Sequence, residues 1–211
     1  MGSIEHRLKT VRLTGEYIQI PWSTNFGDSM FKSYLPGSKG KKVSYSKYVT
    51  AISKNVAYNK WLVEQIGRAA GVDRTVLVVS DRVDQLLDIR RRLFENSEGT
   101  APTVGMYVGA ISGKRVKKDQ LEAAKTCNII LATFGMMAEG TDIPVLDTLF
   151  LATPRADVEQ VVGRIQRFKD GKRRLLVIDP VFQTNWNKGM AVKRRRVYEK
   201  LGFIKQGVVH V

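Results

Sequence analysis

Thr75-Val76-Leu77-Val78-Val79-Ser80 is a run of aliphatic, mostly β-branched residues without alternation, closed by Asp81-Arg82. A strand apolar on both faces reads as the buried centre of a parallel sheet. The period then changes. Val83, Leu86, Leu87, Arg90, Leu93 and Phe94 fall at helical spacing and predict a helix over 82–95. The same exchange recurs along the chain, with strands expected at 104–108, 128–132, 148–152 and 174–178. Helices are expected at 117–124 and 157–166, and 46–70 reads as a helix in two pieces ending at Gly71. Strands alternating with helices at this interval indicate an α/β domain whose central sheet is mostly parallel and flanked by helices.

Outward from that centre the pattern weakens. Residues 9–20 carry partial alternation (Val11, Leu13, Tyr17, Ile18, Ile20) and read as a strand or hairpin. Pro36 to Lys42 is a loop by composition, and 187–201 reads as a basic terminal helix. The expected organisation is a basic N-terminal extension or linker at 1–45, the α/β domain at 46–180 and a basic helical tail at 181–211. Met1-Gly2-Ser3 has the look of an expression scar. Residues 14–45 fit no motif.

The 211 residues are 43% hydrophobic and 26% charged, which excludes a disordered chain. No apolar run reaches the ~18–20 residues of a membrane span, so no membrane partner is expected. One cysteine, Cys127, cannot form an internal disulfide and points to a reducing, intracellular setting (cytoplasm, or a virion for a viral protein). With only His6 and His210 beside it, no metal site of its own is expected. The net charge of +15 is uneven: +7 over 1–60, −2 over 61–159 and +10 over 160–211. Basic ends around a near-neutral middle suit a polyanion, most plainly nucleic acid, with a solubilising surface or an acidic protein as the alternatives.

Ligands of open α/β sheets bind at the carboxyl ends of the strands. Two segments there carry chemistry. In Ala132-Thr133-Phe134-Gly135-Met136-Met137-Ala138-Glu139-Gly140-Thr141-Asp142-Ile143-Pro144, Thr133 and Gly135 suit a phosphate, Gly140 permits close backbone approach and Asp142 suits a ribose. A helix cap followed by a Gly-Pro turn accounts for the same residues. In the helix at 157–166, Val158, Val161, Val162 and Ile165 form an apolar stripe. Gln160, Arg164 and Arg167 lie on roughly the opposite side, either as a solvated face or as paired guanidiniums for phosphate. Gly163, costly inside a helix, hints at a close approach.

Taken together, the segments resemble superfamily 2 helicases. Val78–Arg82 is similar to their motif IV, Ile130–Pro144 to motif V and Gln160–Arg167 to motif VI, in order and at matching spacing over about residues 55–180. The stretch Ala152–Gln160 and the ending Lys193–Phe203 resemble helicases of phages and large DNA viruses with repair or transcription roles. The resemblance implies a C-terminal RecA-like domain in which Arg164 and Arg167 reach the γ-phosphate of ATP and Gln160 lies beside them. It further implies that Gly140 and Asp142 meet the nucleotide, and that Ser80, Arg82, Gly109, Thr133 and Gly135 line a nucleic-acid track.

The phosphate-cradling pattern G-x-x-x-x-G-K-[ST] is not matched: Gly109-Ala-Ile-Ser-Gly113-Lys114-Arg115 is one residue short. Val177-Ile178-Asp179 runs into Pro180 instead of a second acidic residue for Mg²⁺. The expectation is thus half of a motor. Its partner would be an N-terminal RecA-like domain that holds most of ATP and Mg²⁺, and the chain alone would not hydrolyse ATP. The resemblance, rather than any residue here, favours DNA over RNA as substrate; an RNA helicase, a transcript-release factor or a non-enzymatic nucleic-acid-binding module are the alternatives.

Overall fold

The computed structural model describes residues 13–23, 32–34, 41–96, 102–138 and 142–206. The strands are β1 (Gly15–Trp22), β2 (Lys32–Tyr34), β3 (Lys41–Val43), β4 (Val76–Ser80), β5 (Val104–Tyr107), β6 (Ala110–Ile111), β7 (Lys114–Arg115), β8 (Ile129–Thr133), β9 (Thr148–Leu151), β10 (Leu175–Phe182) and β11 (Phe203–Lys205). The helices are α1 (Tyr45–Ser53), α2 (Val56–Gly71), α3 (Val83–Glu95), α4 (Lys118–Ala124), α5 (Phe134–Ala138), α6 (Glu159–Ile165) and α7 (Asn185–Lys200). The main sheet runs β11-β1-β10-β9-β4-β8-β5. Each neighbouring pair in it is parallel, while β2-β3 and β6-β7 are antiparallel ribbons.

β4 is buried along its whole length, as its unalternating sequence requires of a central strand. Its side chains go alternately to two cores. Val76 and Val78 meet Tyr48, Ile52, Leu62, Ile66, Leu86 and Ile89 of α1, α2 and α3. Leu77 and Val79 meet Met137, Val162, Ile165 and Tyr198 of α5, α6 and α7. The break between α1 and α2 falls where Asn55 caps the second helix, accepting from the Tyr58 amide at 2.9 Å.

Two expectations about extent change. Residues 15–22, read as part of an extension, form β1 inside the main sheet, paired with β10 on one side and β11 on the other. The sheet therefore draws on both flanks of 46–180. Local pattern cannot reveal a partner 160 positions away, but Gly15 marks it: a Cβ there would fall 2.6 Å from Leu175 Cβ. β10 also runs past Pro180 to Phe182, because β9 pairs only as far as Ile178 and leaves that side without a ladder. Of the expected loop at 36–42, residues 36–40 lie outside the described residues, and Lys41 and Lys42 belong to β3.

The connections decide where ligands can enter. α3 leaves β4 toward one face and α6 leaves β9 toward the other. Since β4 and β9 are neighbours, the chain diverges between them at their carboxyl ends, where the Tyr45 hydroxyl of α1 lies between Asp81 and the Pro154 carbonyl.

Candidate nucleotide and nucleic-acid sites

α6 is short and two-sided. Val161, Val162 and Ile165 are buried against the sheet, and Val158 is buried just ahead of them. Gln160, Gly163, Arg164 and Arg167 face outward and, with Ala138 of α5, line a cleft of about 250 Å³. Beside it lies a second cleft of about 580 Å³ bounded by Asp157, Glu159, Gln166 and Leu201. Gly163, Gln160 and Arg167 line both clefts. Among the described residues nothing makes the close approach expected at Gly163: a Cβ there would meet no neighbour within 4 Å.

Both arginines are held at the cleft. Arg164 donates from Nε to the Met137 carbonyl at 3.0 Å and from Nη2 to the Ala138 carbonyl at 3.1 Å. These are end carbonyls of α5, which lack partners within the helix. Burial, then the charge of Arg167, lowers the Arg164 pKa from its usual value. Arg167 is ion-paired with Asp142, an exposed carboxylate. The structure thus brings Gln160, Arg164, Arg167 and Asp142 together. Gly140 lies outside the described residues.

Lys172 fixes the far end of the same helix. Its Nζ donates to the carbonyls of Ile165 at 2.7 Å and Arg167 at 2.8 Å, closing the C-terminal turn from which Arg167 projects. Gln166, buried beneath that turn, donates to the carbonyls of Leu13 and Leu201. Sequence spacing gave no signal for either contact.

The residues assigned to a nucleic-acid track divide. Gly109 and Gly135 are exposed, and Thr133 is half-buried with its hydroxyl accepting from the Met136 amide at 3.4 Å. A Cβ on Gly109 would lie 3.7 Å from Met136 Sδ, so the turns after β5 and β8 adjoin. Ser80 needs correction: it is fully buried, donating to Gln85 at 2.7 Å and accepting from the Arg82 amide at 3.0 Å. Its hydroxyl shapes the turn and does not face a surface. Arg82 is committed as well, bonding Thr50 Oγ1, the Asp81 carbonyl and Ser46. Thr50 and Ser46 of α1 hold the Arg82 guanidinium, a contact with no local signature.

Sequence reasoning passed over Tyr45, Asp81 and Arg155. Arg155 Nη1 donates to Asp81 at 3.0 Å, and its guanidinium lies 4.9 Å from the centre of the Phe134 ring. The Asp81 amide donates to Thr153 Oγ1 at 2.9 Å, and Tyr45 donates its hydroxyl to the Asp81 carboxylate. Burial and then that hydrogen bond push the Tyr45 pKa up. The only available signal was position, since Asp81 and Arg155 each follow a predicted strand.

No family model matches the chain. The structure resembles T4 UvsW (TM-score 0.60, 17% identity, 93% of this chain and 41% of that one). It also resembles the E. coli DEAD-box protein SrmB (TM-score 0.54, 15% identity, 94% and 92%). In sequence it is 29% identical over 163 residues to a protein of Acanthamoeba polyphaga mimivirus named "Putative ATP-dependent RNA helicase", covering 77% of this chain and 30% of that protein. The chain has a RecA-like α/β fold. A protein of African swine fever virus with the same description is 30% identical over 112 residues, covering 52% of this chain and 21% of its own length. The domain therefore spans less than a third of the curated relatives it matches. Among its described residues no helix is long and apolar enough to cross a membrane.

Proposed function

We propose that this domain is the C-terminal motor half of an ATP-dependent nucleic-acid helicase or translocase, working inside cells against an N-terminal RecA-like domain. The observation that carries this is the meeting of Gln160, Arg164 and Arg167 at one cleft, with Asp142 ion-paired to Arg167. A guanidinium gains most from a multiply charged oxygen cluster. A triphosphate entering the cleft would draw Arg164 from the α5 carbonyls and Arg167 from Asp142. Both would then stabilise the charge that develops on the transferred phosphoryl group. This donor set fits phosphate oxygens; Mg²⁺ would be held with the nucleotide by the partner domain. Exposed Gly109 and Gly135 would let a strand's backbone pass closely without sequence readout.

The resemblance to helicases of phages and large DNA viruses favours DNA. The names of the viral relatives favour RNA, and duplexes of each kind offered to the parent protein decide between them. The central test measures ATP hydrolysis with single-stranded nucleic acid present, by the domain alone and mixed with the N-terminal half of its parent. Turnover is expected only in the mixture, and Arg164→Ala or Arg167→Ala should lower kcat there by about 10³-fold. Steady hydrolysis by the domain alone would overturn the half-motor assignment.

A further inference from the structure

We infer that the carboxyl edge of β4 and β9 holds the backbone of a single-stranded nucleic acid, with Arg155 as the phosphate ligand and Asp81 as its partner while the site is free. This rests on the track proposed above and adds a residue to it. The position follows from topology, since chain connections diverge between these neighbouring strands and ligands enter open sheets at such points. The chemistry follows from how Arg155 is held. Its carbonyl accepts from buried Arg194 at 3.1 Å, which fixes the main chain beneath it. One face of the guanidinium rests over Phe134, and among the described residues Asp81 receives its one hydrogen bond. The side chain is 41% exposed, so much of its planar fork remains available. Arg82, one position past Asp81, has its donors tied to the protein itself.

Continuity with the glycines selects the ligand. Phe134 stands between Thr133 and Gly135, so Arg155 extends the exposed backbone of Gly135 and Gly109 across the carboxyl edge. A phosphodiester chain can follow such an open line, with charge neutralised on a molecule carrying +15.

The test is fluorescence anisotropy of this domain with labelled oligothymidylate and oligouridylate over a salt series. Arg155→Gln is expected to weaken binding about tenfold at low salt. It should also flatten the slope of log affinity against log salt by about 0.7, the value for one phosphate contact on a single strand. Arg155→Lys should keep the slope and regain part of the affinity, which separates lost contact from lost folding. Asp81→Asn should bind more tightly because it removes the competing carboxylate. Arg91→Gln deletes a charge on the outer side of α3 and should change neither quantity. Wild-type affinity and slope in Arg155→Gln, or an equal loss in Arg91→Gln, would overturn the assignment of Arg155 while leaving the track intact. Binding insensitive to salt in the wild type would overturn both.

Discussion

Gly163 shows how one missing side chain serves a cleft. A glycine in a helix costs up to ~1 kcal/mol relative to alanine through backbone entropy. Here no neighbour demands it, because the Cβ position is open to 4 Å. Gly163→Ala is therefore expected to raise the domain's unfolding free energy by about 0.5–1 kcal/mol in urea. The methyl would protrude from the lining that the two clefts share, so the same change should slow ATP turnover in the assembled motor. A variant no more stable than wild type would show that the helix is strained at this point. Gln160 and Arg164 were placed on one side by helical spacing, whereas Arg167 lies past the end of α6 in the turn that Lys172 closes. Ser80 was misplaced because its burial and its bond to Gln85 depend on how the turn into α3 packs, and the hold of α1 on Arg82 comes from residues far upstream, at Ser46 and Thr50.

At the scale of the element, α6 is a seven-residue helix closed by a lysine rather than by a glycine turn. Burial lowers the Lys172 pKa from 10.5 to about 8, Asp147 opposing the shift and Lys169 adding to it. A basic group whose folded pKa is depressed favours the unfolded state while it is protonated. Below about pH 8 both states carry the proton and the cost is present in full; above 10.5 neither does. Stability from this group should thus rise between about pH 8 and 10.5. Urea unfolding across that window is expected to show the rise in wild type and its loss in Lys172→Met. Identical pH profiles would mean that Lys172 is not burdened by burial. The central strands were readable because their unalternating apolar runs report burial directly. β1 could be read as a strand or hairpin from its partial alternation, but its place between β10 and β11 could not, since that is set by pairing across most of the chain.

For the whole molecule, the decisive connection is a buried ion pair that the sequence hid inside a basic run. Lys193, Arg195 and Arg196 are exposed, but Arg194 between them is fully buried, with Nε 3.0 Å from each Asp179 carboxylate oxygen. Burial opposes the Arg194 charge, yet Asp179 more than offsets it and the pKa is raised. Tyr198 and Gln19 also donate to Asp179, at 3.1 and 3.0 Å, and Arg194 reaches the Arg155 carbonyl. One carboxylate thereby ties β10, β1, α7 and the turn leading into α6. This explains Asp179 without a metal role and joins the basic tail to the sheet. Arg194→Met leaves that carboxylate buried without its counter-charge and should cost ~3–5 kcal/mol. Pairing it with Asp179→Leu should recover much of the loss, because apolar replacement of both partners is far less costly than breaking the pair. A double variant as unstable as the sum of the singles would show that Asp179 acts through Tyr198 and Gln19 rather than through Arg194.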